Sequence, residues 1–489
     1  MQFFHVLDFT LRVTTRTLFH IDQLTLETGD KVALVGANGS GKTTLFKTLL
    51  GEYTDYSGQL KRDGLISHFR QFTDEIPDLH DAEQMSRWQV SDLVGRESVG
   101  ASGGEEVRMR LAQIFASPHD FLLLDEPGAH LDSEGIEELK RQLRHEQSYL
   151  IISHNRELLE EFCPRTLVIK DGKLIDFPGT YSAYKEWEEM AFEGKVHRAE
   201  VLLKEKRRLS RVMEKQKQSA ARMERKPKNL SHSERKAISF SATKKPEDKA
   251  KHMMSAAGNT AKRIDRIGEV YIPKRPFVIK PDFTFTDPPQ NRIIIEAFDF
   301  SFAYPGTEPL FVDTDFVLKR NVRTALVGEN GSGKSTFLKL IREGHPDIRV
   351  VPKARLGVFD QKFDLIDLNK TVLENIQSIS CQNESVNRNV LARMGFFQQQ
   401  VNKRASVLSG GELTKLSFAM LFVSDCNVLL IDEPSNYLDI PSYEAIESLL
   451  KDYEGSMLFC THDHHFLQEV AEEIWEIRER KLEKVSGMQ

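Results

Sequence analysis

The chain is poor in cysteine and tryptophan and has no long apolar run. Among its 489 residues are 4 cysteines and 3 tryptophans. Cys163, Cys381, Cys426 and Cys460 stand apart, with no Cys-x-x-Cys pair. That excludes a disulfide framework and a cysteine zinc site, and leaves free, mostly buried thiols. The longest apolar runs, such as Phe121 to Leu124 and Val428 to Ile431, have the length of strands and end in Asp-Glu-Pro. A bilayer span needs about 20 apolar residues, so no membrane-crossing helix is expected. Met1-Gln2-Phe3-Phe4-His5 has no basic n-region and Asp8 interrupts the apolar stretch. A signal peptide is therefore not expected, and the cytoplasm is the expected compartment.

What the chain does have is charge, unevenly placed. From Lys195 to Arg266 there are 22 Lys and Arg against 8 Asp and Glu, a balance of +14 within a net charge of −6, leaving −20 elsewhere. A hydrophobic content of 40% suits packed cores, and the length suits about three domains. Two acidic bodies joined by a basic spine predict contact with something polyanionic.

The bodies are one module written twice. Asp30 to Val35 reads as a buried strand and runs into Gly36-Ala37-Asn38-Gly39-Ser40-Gly41-Lys42-Thr43-Thr44, which opens an apolar-periodic helix. The same pattern returns 292 positions later as Gly328-Glu329-Asn330-Gly331-Ser332-Gly333-Lys334-Ser335-Thr336. Glycines let backbone amides turn inward on phosphate oxygens, and the helix N-terminus adds positive potential. Lys42 and Lys334 can neutralise phosphate, and the Thr43 and Ser335 hydroxyls can hold Mg2+.

Later landmarks repeat in order: Gln71 and Gln361, Ser102-Gly103-Gly104-Glu105 and Ser409-Gly410-Gly411-Glu412, Asp125-Glu126-Pro127 and Asp432-Glu433-Pro434, His154 and His462. From signature serine to aspartate the distance is 23 in both copies, and from that aspartate to the histidine 29 and 30. Asp125 and Asp432, ending buried strands, can reach Mg2+, while Glu126 and Glu433 can act as general base on an attacking water. An isolated Asp-Glu after an apolar strand is usually only a polar strand end; its place after a P-loop reverses that reading. His154 and His462 can contact the γ-phosphate. Ser-Gly-Gly-Glu makes a second anion site, which has to serve a nucleotide held by the other module.

With these motifs the chain resembles the ATP-binding-cassette ATPases, over both modules. The resemblance implies ATP and Mg2+ as cofactors, with Gln71 and Gln361 joining the metal ligands. It further implies a monomer whose two cassettes form a head-to-tail sandwich. One site would pair Gly36 to Thr43 with Leu408 to Glu412, the other Gly328 to Ser335 with Ala101 to Glu105. Tyr304 lies where this superfamily stacks an aromatic on adenine, and aligning Leu310-Phe311 with Leu18-Phe19 puts Arg12 at the equivalent place. Ala101 replaces a leucine, and Gly128-Ala129-His130-Leu131-Asp132 departs from the usual pattern, so two competent but unequal hydrolysis sites are expected.

Two fused cassettes without a membrane span, and Phe177-Pro178-Gly179-Thr180-Tyr181-Ser182-Ala183-Tyr184 before the basic stretch, resemble the ABC-F class. The fold class expected is α/β, with two P-loop cassettes (1–185 and 276–489) joined by an antiparallel α-helical hairpin linker (186–275). Leu202, Leu209, Met213, Gln216, Ala220 and Met223 form one heptad seam, and Met253, Ala257, Thr260, Ile264, Ile267 and Tyr271 the other. Residues 226–246 make the tip. A basic hairpin is equally often a solvated spacer, but Arg207, Arg208, Arg211, Lys215 and Lys217 outward, with Leu230, His232 and Phe240 at the tip, favour structured RNA as target.

Within ABC-F proteins, a long linker, little or no arm insertion and an ending soon after the second cassette resemble the antibiotic-resistance members. That implies the ribosome as partner (rRNA and tRNA), binding at the tRNA exit site in the ATP-bound form, a linker reaching toward the peptidyl-transferase region, and release on hydrolysis. The alternatives are a housekeeping ABC-F translation factor, the ATPase subunit of a drug exporter with a separate membrane chain, and a DNA-repair ATPase. The last is disfavoured by the lack of zinc cysteine pairs.

Overall fold

In a computed structural model, residues 1–14, 16–70, 81–90, 103–129, 131–224, 246–272, 289–329, 331–359, 365–434, 438–461 and 463–485 are described. Chain contacts divide it into two units, Met1–Tyr184 with Val278–Gln489, and Lys185–Phe277.

The first unit contains both cassettes. In the first, β1 (Gln2–Val13), β2 (Arg16–Glu27), β3 (Lys31–Gly36), α1 (Lys42–Leu50), β4 (Tyr56–Arg62) and β5 (Ile66–Phe69) are followed by α2 (Ala82–Arg87) and α3 (Gly103–Ala116). Then come β6 (Phe121–Asp125), α4 (Ser133–His145), β7 (Tyr149–Ile152), α5 (Arg156–Phe162), β8 (Arg165–Lys170) and β9 (Lys173–Phe177). The described strands form one sheet in the order β4-β1-β2-β9-β8-β3-β7-β6-β5. β3 is parallel to β7 and β8, and β6 to β7. These strands are apolar throughout because both faces are covered. Val32 and Leu34 pack with Leu123 and Leu150 on one face, while Ala33 and Val35 pack with Leu122, Leu124 and Ile151 on the other. Three adjacent parallel strands therefore end side by side, which brings together the loops after Gly36, Asp125 and Ile152.

The basic unit Lys185–Phe277 contains most of α6 (Tyr181–Glu224) and all of α7 (Pro246–Ile267). Lys206 Nζ donates to the Gly268 carbonyl at 2.6 Å and Thr260 Oγ1 to Gln216 Oε1 at 3.2 Å, so the helices run antiparallel. Leu209, Ala220, Ala257 and Thr260 are buried, while Arg207, Arg208, Arg211, Lys215 and Lys217 are exposed. The seam departs from expectation at two places. Leu202 is 44% exposed and Tyr271 80%. Leu203, the neighbour of Leu202, is half-buried. Gly268, at φ +69°, stops α7 before Tyr271. Met223, Leu230, His232, Phe240 and the tip expected at 226–246, up to its last residue, Pro246, lie outside the described side chains.

The second cassette repeats the plan. It has β10 (Ile293–Phe302), β11 (Phe311–Lys319), β12 (Arg323–Gly328), α8 (Lys334–Glu343), β13 (Ile348–Val350), β14 (Leu356–Phe359), α9 (Val372–Ile379), α10 (Glu384–Arg393) and α11 (Gly410–Val423). It closes with β15 (Val428–Asp432), α12 (Ile440–Asp452), β16 (Ser456–Cys460), α13 (His464–Val470), β17 (Glu473–Arg478) and β18 (Lys481–Val485). Its central sheet runs β14-β15-β16-β12-β17-β18, so the loops after Gly328, Asp432 and Cys460 again end together.

Candidate functional site

The site is built at the ends of those strands. Gly41 and Gly333 cap α1 and α8 at φ 105°, a left-handed conformation favoured by glycine. A Cβ on Gly41 would stand 2.8 Å from Leu18 Cδ1, and one on Gly333 2.9 Å from the Phe311 ring. The loop thus lies flat against the Leu18-Phe19 and Leu310-Phe311 pairs. Lys42 Nζ donates to the Gly36 carbonyl at 2.7 Å, and Lys334 Nζ to Gly328 at 2.7 Å. Each ammonium therefore reaches across the mouth of its own loop. Burial lowers the pKa of both lysines, and nearby carboxylates raise it in part: Glu126, Asp439 and Asp125 for Lys42, Glu433 first for Lys334. Ser40 Oγ and Ser332 Oγ are buried and have no hydrogen-bond partner. Orphaned hydroxyls, inward glycines and a desolvated lysine fit a polyphosphate.

At the end of β6 the Thr43 hydroxyl hydrogen-bonds the Asp125 carboxylate, whose pKa burial raises while Thr43 and Lys42 pull it back. Hydroxyl and carboxylate oxygens are hard donors of the kind Mg2+ takes. Among the described residues no three His, Cys, Asp or Glu side chains form a metal cluster.

Glu126 sits at φ +54° and Glu433 at φ +50°. Such strain is stored at functional positions. The same bonds hold it in both copies, Glu126 N–H to the Ile152 carbonyl at 2.9 Å and Glu433 N–H to Cys460 at 3.0 Å. Glu126 Oε1 lies 3.0 Å from His154 Nε2, and Glu126 Oε2 accepts the His154 backbone N–H at 3.2 Å. Burial pushes the Glu126 carboxyl up to about 8, and burial together with Lys42 pushes the His154 imidazole down to about 3. In the nucleotide-free site burial thus opposes the charged form of both partners.

The cassettes meet over the first P-loop. Asp439, 1% exposed, accepts the Asn38 backbone N–H at 2.6 Å and the Lys415 ammonium at 3.2 Å, and caps α12 through Ser442 N–H at 2.9 Å. Burial opposes its ionisation, but Lys415, Ser442 and Asn38 hold its carboxyl below the ordinary value. Asp132 repeats the arrangement: it caps α4 through Gly135 N–H at 2.9 Å, lies 3.8 Å from Arg108, and its charge acts on Lys334. Ser409 caps α11 in a capping box with Glu412, its hydroxyl accepting the Glu412 N–H at 3.3 Å. Gly410 and Gly411 form the first turn of α11, as Gly103, Gly104 and Glu105 do of α3.

Tyr304 Oη is 3.5 Å from Thr336 Oγ1, beside the second P-loop, with its ring edge-on to Phe302 at 5.1 Å. Arg12 has no equivalent position. Val13 pairs with Arg16 across a tight hairpin, whereas Phe302 pairs with Phe311 and leaves residues 303–310 as a loop. Arg12 instead stays in β1 opposite Thr17, its carbonyl accepting the Tyr53 hydroxyl at 2.7 Å. Gln71, Ser102, Asn330, Gln361 and His462 lie outside the described residues. The motif reading missed Asp132, Asp439, Arg108 and Lys415 as site residues. Their signal was available, since each pair falls at the same offset within the repeat.

Two P-loops, two strand-end Asp-Glu pairs and two glycine-led signature helices in one chain define an ATP-binding-cassette ATPase, which hydrolyses ATP. The family model described as ABC transporter matches residues 19–129 and 311–436. Along nearly its whole length the chain resembles ABC-F proteins, which are tandem-cassette ATPases. It is 29% identical over 492 residues to the erythromycin resistance ATP-binding protein MsrA of Staphylococcus epidermidis, covering 97% of each chain. It is 28% identical over 493 residues to the ribosome protection protein VmlR of Bacillus subtilis, over 96% of this chain and 86% of the relative. It is 25% identical to ABC transporter F family member 5 of Arabidopsis thaliana, over 94% of this chain and 72% of the relative. Among solved structures, RNase-L Inhibitor shares the fold with a TM-score of 0.61 at 17% identity, over 96% of this chain and 87% of that one. No described helix is long and apolar enough to cross a membrane.

Proposed function

We propose that the chain is a cytoplasmic, ribosome-bound ATPase that protects translation from ribosome-targeting antibiotics. It would bind at the tRNA exit site with ATP between its cassettes, present the basic hairpin toward the peptidyl-transferase region, and leave on hydrolysis. The observation that carries this reading is the exposed basic face of the α6–α7 hairpin, Arg207, Arg208, Arg211 and Lys215, encoded between two ATPase modules. A spacer needs no such charge; contact with rRNA and tRNA phosphates does. The names of the two bacterial relatives, one for erythromycin resistance and one for ribosome protection, support the same reading.

In each site Lys42 or Lys334 exchanges its loop carbonyls for phosphate oxygens. Thr43 with Asp125, and Ser335 with Asp432, would hold Mg2+, with Gln71 and Gln361 added, and that ion supplies charge neutralisation at the β- and γ-phosphates. Glu126 and Glu433 take the proton of the attacking water as its oxygen bonds the γ-phosphorus and the bond to the β–γ bridging oxygen breaks. His154 and His462 orient that water and the γ-phosphate. The Ser409 to Glu412 turn closes over the first nucleotide and the Ser102 to Glu105 turn over the second. Tyr304 stacks on adenine in the second site only, so the two sites are unequal.

The test is the double variant Glu126→Gln with Glu433→Gln, which keeps ATP bound. It is expected to sediment with ribosomes when ATP is present and to stall translation. A variant that stays free of ribosomes with ATP sinks the proposal. An exporter subunit is separated by a second assay: the wild-type chain is expected to rescue a purified, drug-inhibited translation reaction that contains no membrane.

A further inference from the structure

Arg156 opens α5 two residues after His154. Its guanidinium stands 5.8 Å from the Tyr443 ring centroid, with Nη2 3.6 Å from Glu444 Oε1 and Nη1 3.5 Å from Glu447 Oε2. All three partners lie on α12 of the other cassette. The Arg156 side chain is 16% exposed, so it is a largely desolvated cation that relies on these groups for compensation.

The contact belongs to a row. At its N-terminus α12 is fixed to the first P-loop through Asp439 and the Asn38 N–H. Ile440 packs in the same apolar cluster as Tyr181 and Tyr184 of the first cassette, and the Tyr181 hydroxyl donates to Glu444 at 3.4 Å. Arg156 sits in this row and is the member joined through the single residue Asn155 to His154, hence to Glu126.

The repeat shows that the other side lacks this device. The counterparts of Tyr443, Glu444 and Glu447, 307 positions earlier, are Ile136, Glu137 and Lys140, and the counterpart of Arg156 after His462 is His464. An aromatic ring becomes aliphatic, one carboxylate becomes an ammonium, and the arginine becomes a histidine. Lys140 is itself bonded to Glu137 at 3.0 Å and to Glu157 at 2.5 Å within its own cassette. The ammonium there is thus held by carboxylates of its own cassette, and the sequence encodes no arginine to bridge from the other.

We propose that Arg156 is a positioning residue for the first ATP site, a latch that ties the His154 loop to α12 of the second cassette, and that the second site works without one. The inference rests on the assignment of Glu126 and Glu433 as the hydrolytic carboxylates. Closure of the first site then carries His154 and the cross-cassette Asp439 contact together, while the second site gains its geometry from fewer fixed points. The first site thus hydrolyses as a rigid pair, and loss of the latch slows its chemistry rather than its capture of ATP.

The test uses the full chain in two single-site backgrounds, Glu433→Gln to report the first site and Glu126→Gln to report the second. In the first, Arg156→Ala is expected to lower kcat about tenfold while KM for ATP moves less than about twofold. In the second, the rate moves less than about twofold. Arg156→Lys restores part of the first-site rate. Equal slowing in both backgrounds, or an unchanged first-site kcat, overturns the proposal. Hydrogen exchange with ATP present reads the latch independently of the glutamates. Arg156→Ala is expected to raise exchange in residues 440–452 and not in 133–145, and an equal change in both helices overturns it. If both backgrounds hydrolyse at the wild-type rate, the glutamate assignment has failed, and the exchange measurement alone decides on the latch.

Discussion

The Asn38 backbone N–H donates to Asp439 Oδ2 at 2.6 Å, across 401 residues of sequence. One carboxylate thereby joins the first P-loop to the N-terminus of a helix in the other cassette, and Lys415 neutralises it from a third element. The bond gives the second cassette a direct mechanical hold on the loop expected to carry the phosphates. Removing the Asp439 carboxylate leaves the buried Lys415 ammonium without the group that neutralises it.

Asp439→Ala strands the Lys415 ammonium, and breaking a buried pair in this way costs about 3–5 kcal/mol. Asp439→Asn keeps an acceptor for Asn38 and is expected to cost about 1–3 kcal/mol. Lys415→Met added to Asp439→Asn removes the unpaired cation and recovers most of that loss. Denaturant unfolding of the nucleotide-free protein checks the order, and a double variant no more stable than the single one refutes the coupling.

Glu126 gives a pH signature. Its carboxyl, ordinarily near 4.5, is pushed up to about 8 by burial, so the folded protein holds this proton more tightly than the unfolded chain does. Its contribution to stability is complete below about pH 4.5 and is lost as pH rises through about 8, at up to about 1.4 kcal/mol per pH unit. Glu126→Gln has no proton to lose. Its melting temperature in the absence of nucleotide is expected to exceed that of the wild type by a margin that widens from pH 5 to pH 8. His154, pushed down to about 3, is common to both proteins and cancels in the comparison. A constant margin across that range would show that Glu126 is already ionised.

The Thr43–Asp125 hydrogen bond sets side by side the two oxygen donors proposed for Mg2+. Thr43→Val with Glu433→Gln, which isolates the first site, is expected to raise the Mg2+ concentration for half-maximal ATP hydrolysis by about tenfold, with Asp125→Asn at least as severe. A Mg2+ titration of steady-state hydrolysis reads this directly. An unchanged midpoint would remove Thr43 and Asp125 from the metal site.

Much of this site was legible because its residues lie next to one another in sequence. The apolar runs Val32–Val35 and Ala325–Val327 announce buried strands, and the P-loop spacing after each one fixes the turn and the start of the helix. Asp125-Glu126 and His154 then fall on neighbouring strands because the doubly wound order sets β3, β7 and β6 side by side. Contacts between the copies were not legible from motifs. Asp439 with Asn38 and Arg156 with Glu444 depend on how two folded bodies meet, and no local pattern encodes that. The left-handed backbone of Glu126 and Glu433 was hidden too, since glutamate carries no preference for it. Arg12 misled for a related reason: matching Leu18-Phe19 to Leu310-Phe311 assumed equal hairpin lengths, and the first hairpin is shorter.

The hairpin separates structure from recognition. Ala220 and Ala257, 1% and 2% exposed, are buried, so Ala257→Glu is expected to destabilise Lys185–Phe277 by several kcal/mol, about the cost of an unpaired buried charge. Arg207, Arg211 and Lys215 are exposed, and replacing them with Gln leaves helix content unchanged by circular dichroism. Ribosome binding in the Glu126→Gln, Glu433→Gln background is then expected to weaken and to lose salt dependence, by a slope of about 0.7–0.9 per lost phosphate contact. Shortening 226–246 without touching the buried alanines should do the reverse, keeping the binding and its salt slope while abolishing rescue of drug-inhibited translation. Ribosome sedimentation over a potassium chloride series, run beside the translation assay, tells the two apart. If the shortened protein still rescues translation, the helical stem and not the segment beyond it performs the protective step.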